Sequence, residues 1–183
     1  MDVLLSRQDS HMDNDHKMKT VLYFSYGSNM SSIRLQERAP SASFLAIAKL
    51  KEHRLLFHKK SNDGSGKCAA EDTAGRNDCV MGVVFAMSAA DKEELDRKEC
   101  RSFGYKEKTV TVTLENGDRV EASTYCAVET DAGLNPYSWY KEHVLRGARE
   151  NNLPHEYISK IEEIESMPDP DMDRHARELA IYT

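Results

Sequence analysis

The sequence predicts an α+β protein, a small mixed β-barrel-like sheet with flanking helices. Three observations predict it. Short β-branched and aromatic runs crowd the earlier part of the chain and helix-spaced stripes the later part, an order that segregates strands from helices. Val21-Leu22-Tyr23-Phe24-Ser25-Tyr26 reads as one buried strand, too short and too β-branched for a helix, running straight into the polar turn Gly27-Ser28-Asn29. Lys106 to Leu114 and Arg119 to Val128 form a hairpin through Asn116-Gly117, with Val110, Val112 and Leu114 on one face and Val120, Cys126 and Val128 on the matching one.

Composition bounds the function. A chain of 183 residues suits one domain with a full-sized core. Hydrophobic content of 39% and charged content of 31% describe a soluble, rather polar protein. The net charge of −6, with no basic block, argues against nucleic-acid binding. The short clusters Lys49-Leu50-Lys51 and His58-Lys59-Lys60 read as solvated strand ends. No apolar run reaches the roughly 18 residues of a membrane span. The four cysteines (Cys68, Cys79, Cys100 and Cys126) form no CxxC, and the seven histidines no HExxH. No metal and no cofactor is expected, and the cysteines read as reduced thiols of a cytoplasmic protein.

Residues 1–18 are polar, lack the apolar stretch of a signal peptide, and are expected to be disordered. Ser10-His11-Met12 is similar to a vector-derived junction, and Met18 offers an internal start. After the first strand, Ser31 or Ser32 caps a helix of barely two turns that Pro40 must end. Ser43 to Lys49 reads as a strand, Phe44, Ala46 and Ala48 alternating against Leu45 and Ile47, and another follows near His53 to His58. Residues 59–79 change character: Ser61-Asn62-Asp63-Gly64-Ser65-Gly66 reads as flexible loop, and a structureless stretch of this length is often functional. Cys79 to Met87 is a buried strand in which Gly82 marks a bulge or a close backbone approach. Ser88 and Asp91 open a helix by a capping-box-like pattern; it runs to about Glu99 and stops before Gly104. Asn135 caps a helix with Pro136 at its first position, and Tyr137, Tyr140 and Val144 form its core-facing stripe. Leu153-Pro154 starts another, burying Tyr157, Ile158, Ile161 and Ile164. Asp171 to Ile181 reads as a last, weakly held helix. The chain thus divides into an extension over 1–18, a domain over 19–167 and a tail or weak helix over 168–183.

Two places can carry chemistry. A strand, a glycine turn and a helix start gather unpaired N–H donors into one concavity, which favours an anion; an ordinary strand-to-helix turn has the same sequence. Glu99 lies at a helix C-terminus, where the macrodipole opposes its charge, with Asp96 three residues back. If it is buried there, its carboxyl rises toward neutrality, the range useful for a proton shuttle. If Lys98 and Arg101 screen it, it is a surface residue.

Four segments, in order, resemble the γ-glutamylcyclotransferase family. Leu22-Tyr23-Phe24-Ser25-Tyr26-Gly27-Ser28-Asn29 looks like that family's Tyr-Gly-Ser-Asn opening. Gly82-Val83-Val84-Phe85 is similar to its Gly-Val-Val strand. Leu95-Asp96-Arg97-Lys98-Glu99 sits where the family has Leu-Asp-x-x-Glu, ending in the catalytic acid. Gly147 to Pro154 resembles its Gly-Ala-x-Glu-Asn-x-Leu-Pro segment. The resemblance implies a β-barrel with flanking helices that converts γ-glutamyl compounds to 5-oxoproline and a free amine. It implies Glu99 as proton acceptor and a substrate site of Tyr23, Phe24, Ser25, Tyr26, Gly27, Ser28, Asn29, Tyr125 and Tyr140. It also suggests a homodimer. Cys100 departs from the family's usual glycine, and residues 59–79 show no match. The same pocket without chemistry would be a non-catalytic module that binds or senses an amino-acid-like molecule. The leaving group, whether a dipeptide's amino acid, a simple amine or an acyl-protected amine, stays open.

Overall fold

Strands with apolar alternation must bury one face each, and here five of them do so by closing on themselves. The computed structural model describes residues 19–75, 77–102 and 104–183. The expectations for residues 1–18 and for the Arg101 side chain lie outside what is described. In chain order the strands are β1 (Thr20–Ser25), β2 (Ser43–Lys51), β3 (His53–Lys60), β4 (Gly66–Asp72), β5 (Cys79–Ser88), β6 (Tyr105–Leu114) and β7 (Arg119–Ala127). The helices are α1 (Ser32–Gln36), α2 (Ala89–Asp96), α3 (Ser138–Glu150), α4 (His155–Glu162) and α5 (Met172–Leu179).

The barrel runs β1-β5-β2-β6-β7 and closes where β7 meets β1. β1 is antiparallel to β5, with Tyr23 opposite Phe85, and parallel to β7, with Tyr23 opposite Ser123. This seam is reinforced by Thr124 Oγ1, which donates to the Phe24 carbonyl at 2.8 Å. Phe24, Val80, Val83, Val84, Phe85 and Val112 are fully buried in the core. Gly82 is a close approach, as expected: a Cβ there would stand 2.2 Å from the Ser25 carbonyl oxygen.

Several expectations are corrected. Residues 59–79 are not one loop. β3 extends to Lys60, and β4 pairs with it antiparallel, so only the tip and the return remain irregular. The polar composition of Gly66-Lys67-Cys68-Ala69-Ala70-Glu71-Asp72 hid a strand whose partner supplies the pairing. Alternation in β2 is broken by a bulge between Phe44 and Ala46, which leaves Phe44 and Leu45 half exposed. Val128 lies beyond β7 and is exposed; Ala122 and Thr124 fill the inward phase instead. Of the four residues expected buried around α4, Ile161 is, while Tyr157, Ile158 and Ile164 are partly so.

The helices dock around the barrel. Ser88 Oγ accepts from the Asp91 amide at 3.2 Å and starts α2, as its spacing predicts. The chain then winds more widely, as a π-helical stretch over Arg97–Ser102. α3 begins at Ser138, not at Asn135-Pro136, because both of those carbonyls are taken elsewhere. Gly66 N donates to Asn135 O at 2.9 Å and Met167 N to Pro136 O at 3.0 Å. The expected stripe is buried, at 5% exposure for Tyr137, 6% for Tyr140 and 0% for Val144. α5 buries no residue of its own; Asp171 caps it, and polar contacts from Glu178 to Arg34 and His143 dock it. No helix among the described residues is long and apolar enough to cross a membrane.

Candidate active site

A cavity of about 350 Å³ opens beside the start of the barrel, lined by the turn after β1, the β3–β4 hairpin, the end of α2, β7 and α3. Period-two alternation on β1 sends Tyr23 and Ser25 to it and turns Phe24 the other way, into the core beside Gly82. Of the residues the sequence singles out, Tyr23, Ser25, Tyr26, Gly27, Ser28, Asn29, Glu99, Tyr125 and Tyr140 all line the cavity; Phe24 does not.

Glu99 is 7% exposed and accepts two hydrogen bonds on Oε1, from Asn29 Nδ2 at 3.0 Å and from Arg38 at 3.1 Å. Asn29 is oriented without ambiguity. Its nitrogen also donates to the Tyr23 hydroxyl at 3.3 Å, and its oxygen accepts from Arg38 at 3.1 Å. The turn after β1 and the acid after α2 are therefore joined by one side chain. Lys98 pairs with Glu94 instead, and the cation in contact with Glu99 is Arg38. Asp96, expected to act on Glu99 as a like charge, instead accepts from the Tyr125 hydroxyl at 2.7 Å and from Lys92 in a short contact. Cys100 packs against the core, and burial pushes its thiol upward.

The turn itself leaves donors open. Gly27 O accepts from Met30 N at 3.0 Å and Ser28 O from Ser31 N at 3.3 Å, while the N–H groups of Gly27, Ser28 and Asn29 make no hydrogen bond among the described residues. Ser25 Oγ is buried and has no partner of standard geometry. Such groups are costly to bury unless something pairs with them.

Around the turn stand phenols. Tyr140 accepts from Cys68 N at 3.1 Å, Tyr105 donates to Cys68 O at 2.8 Å, and Tyr26 donates to Tyr125 O at 2.5 Å. Burial pushes Tyr23, Tyr26, Tyr105, Tyr125 and Tyr140 upward, so all keep their protons at neutral pH. Burial also pushes the Cys68 thiol up to about 12, which removes it as a nucleophile.

Lys59 is the clearest residue that sequence reasoning misses. It is 2% exposed and lines the cavity, so of His58-Lys59-Lys60 the strand end Lys60 is solvated as expected but Lys59 is not. Lys59 falls in phase with buried Phe57, and that phase was the available signal. Its ammonium lies 4.8 Å from the centre of the Tyr105 ring. Burial lowers its pKa, and the negative charges of Glu99, Asp63 and Glu129 oppose that. Arg38 and Tyr105 also line the cavity without any local sequence signal, and Asp63 and Lys67 do so from the stretch 59–79 whose length marked it as a functional candidate.

The arrangement provides anion-binding amides, a buried carboxylate and neutral phenols around one hollow. It provides no activated protein nucleophile. Among the described residues no cluster of His, Cys, Asp or Glu is placed to hold a metal ion.

Comparison with known proteins bears on what such a site does. A family model described as the AIG2-like family matches residues 79–161. The chain is 33% identical over 153 residues to a γ-glutamylcyclotransferase of Bos taurus and 32% identical to one of Homo sapiens, each match covering 80% of both chains. A solved structure of a γ-glutamyl cyclotransferase superposes with a TM-score of 0.75 at 27% identity, over 87% of this chain and 99% of that one.

Proposed function

The chain belongs to the γ-glutamylcyclotransferase family, and on that premise we propose that it converts a γ-glutamyl amide or dipeptide to 5-oxoproline, releasing the amine or amino acid. The observation that carries this reading is the Asn29 bridge, which ties Glu99 at 3.0 Å to the turn with unpaired amides.

The chemistry suits a site without a protein nucleophile, because the substrate brings its own. Its α-amine attacks its γ-carbonyl carbon, and closing a five-membered ring is intramolecular, so orientation supplies much of the acceleration. The amides of Gly27, Ser28 and Asn29 hold the α-carboxylate and aim the amine. Glu99 takes the proton that the ammonium must lose for its lone pair to attack. The new C–N bond forms and the ring nitrogen then gives up a second proton; Glu99 passes the protons to the departing nitrogen as the old amide C–N bond breaks, so the product is a neutral lactam and the amine leaves as its ammonium. Asn29 and Arg38 both bond Oε1, and we assign the travelling proton to Oε2. Tyr140, kept neutral by burial, contacts the substrate beside the turn, where its hydroxyl lies 3.4 Å from a Cβ built on Gly27.

The decisive experiment is release of 5-oxoproline from a γ-glutamyl dipeptide. The native protein should produce it, and Glu99→Gln should lose turnover by at least about a thousandfold, on the scale of removing a general acid–base, while still binding substrate. An active Gln variant removes Glu99 from the mechanism. Binding without turnover by the native protein leaves a non-catalytic sensing module.

A further inference from the structure

Five cationic side chains line the cavity: Arg34, Arg38, Lys59, Lys67 and Arg174. Four of them are matched by carboxylates. Arg34 pairs with Glu178 at 2.9 Å, Arg38 with Glu99 at 3.1 Å, Lys67 with Asp63 at 2.7 Å and Arg174 with Asp169 at 2.5 Å. The Lys59 ammonium has no carboxylate within ion-pair distance and no hydrogen bond among the described residues; it lies over the face of Tyr105, and the negative charges of Glu99, Asp63 and Glu129 act on it only from farther off. Its backbone is fixed from both sides. β4 pairs with it at Lys67, and a bridge on the other edge joins it to Thr130. A buried ammonium held in place without a counter-ion in contact is destabilising, and an anion entering the cavity would offset that cost.

The chemistry of the substrate decides where that anion is. A γ-glutamyl unit has one free carboxylate, and in the reading above the amides of the turn hold it. Its γ-carbonyl is the electrophile and ends as a neutral lactam. A further negative charge of the ground-state substrate can come only from the departing side; the oxyanion that forms in passing on the γ-carbonyl is common to all γ-glutamyl substrates and cannot discriminate among them. The surroundings of Lys59 agree with this. It sits on the β3–β4 hairpin, which contributes Ser61, Asn62 and Asp63 to the cavity wall, whereas the turn follows β1 and Glu99 lies in the π-helical stretch after α2.

Resting on the cyclotransferase reading, we propose that Lys59 is a specificity-determining residue whose ammonium pairs with a carboxylate carried by the leaving amine. The chain then distinguishes γ-glutamyl amino acids from γ-glutamylamines by a charge on β3, while Glu99 and the turn act alike on both.

The test uses a matched pair, γ-glutamyl-alanine and γ-glutamyl-ethylamide, whose leaving amines differ by one carboxylate. For the full-length protein the ratio of kcat/KM values should favour the alanine compound by about ten- to a hundredfold, the range of a charge-assisted contact. In Lys59→Met that ratio should fall close to one, and in Lys59→Arg most of it should remain. The ratio is read on whatever fraction folds, so lost stability or a disturbed Glu99 cancels between the substrates. A native ratio near one, or a preference that survives in Lys59→Met, overturns the assignment. Failure of both compounds to yield 5-oxoproline overturns the cyclotransferase reading and the assignment with it. Turnover of both without discrimination overturns the assignment alone.

Discussion

Asn29 shows how much one side chain can organise. Its amide nitrogen serves Glu99 and Tyr23 while its oxygen serves Arg38, so three cavity residues take their positions from it. An alanine there removes the Asn29 hydrogen bond to the Glu99 carboxylate without adding bulk. We expect Asn29→Ala to lower kcat by about a hundredfold, the usual cost of a misplaced reacting group, with a smaller change in KM and a normal circular dichroism spectrum. An unchanged kcat would mean that Arg38 alone positions the acid. Asp96 acts at one remove. It holds the Tyr125 hydroxyl at 2.7 Å, and Tyr125 stacks at a tilt on Tyr23 with ring centres 5.4 Å apart. Asp96→Asn should therefore cost less than Glu99→Gln, about tenfold in kcat/KM, and kinetic comparison of Tyr125→Phe with the double variant should show the two effects to be non-additive.

At the scale of elements, the site depends on a helix packed unusually close to a turn. α3 approaches the turn after β1 at Gly147, where a Cβ would lie 2.5 Å from Ser31 N and 2.6 Å from Met30 C. Those are backbone atoms and cannot rotate away. Asn151 locks the same junction, its Nδ2 donating to Met30 O at 2.9 Å and to Gly147 O at 2.8 Å. Gly147→Ala should lower stability by about 1–3 kcal/mol, the cost of overpacking, seen as a lower Tm. It should also reduce activity in the fraction that remains folded, because the displaced segment adjoins the anion-binding turn. Full activity in a soluble Gly147→Ala protein would show that the turn tolerates the shift. Here the sequence was informative without being explicit. Gly147 to Pro154 stood out as a motif, yet its role as a spacer between a helix and a turn 116 residues earlier (Gly147 against Ser31) needed coordinates.

For the molecule as a whole, the C-terminal helix ties the barrel's flank together through a buried histidine. His143 is fully buried; its Nε2 lies 3.1 Å from Arg34 and 3.2 Å from Glu178, and its Nδ1 lies 2.7 Å from the Tyr182 hydroxyl. Burial pulls its pKa from 6.5 down to about 4. Between those values the unfolded chain binds a proton at this ring and the native protein does not, so stability falls as pH is lowered through that window. The contribution is at most about 3 kcal/mol, complete above pH 6.5 and lost near pH 4. Arg34 and His143 also hold Glu178 well below the carboxylate range, and that part is lost only at lower pH. Tm should fall from pH 7 to pH 5, and His143→Gln should flatten the slope across that interval. Equal slopes in the two proteins would place the acid sensitivity elsewhere.

The sequence by itself determined the periodic elements: the β1 strand and its turn, the capped start of α2, the Asn116-Gly117 hairpin and the aromatic face of α3. Each is set by residues within a few positions of one another, where backbone preference and apolar spacing act directly. It also singled out Glu99, through a helix end and a motif. Only the tertiary structure decided that residues 66–72 are a strand, that Phe24 faces the core while Tyr23 and Ser25 face the cavity, that Arg38 rather than Lys98 meets Glu99, and that Lys59 is buried without a carboxylate in contact. Those outcomes depend on partners far along the chain. Strand pairing, the burial of a charge and the identity of its counter-ion are properties of what folds against a residue, and local sequence does not contain them.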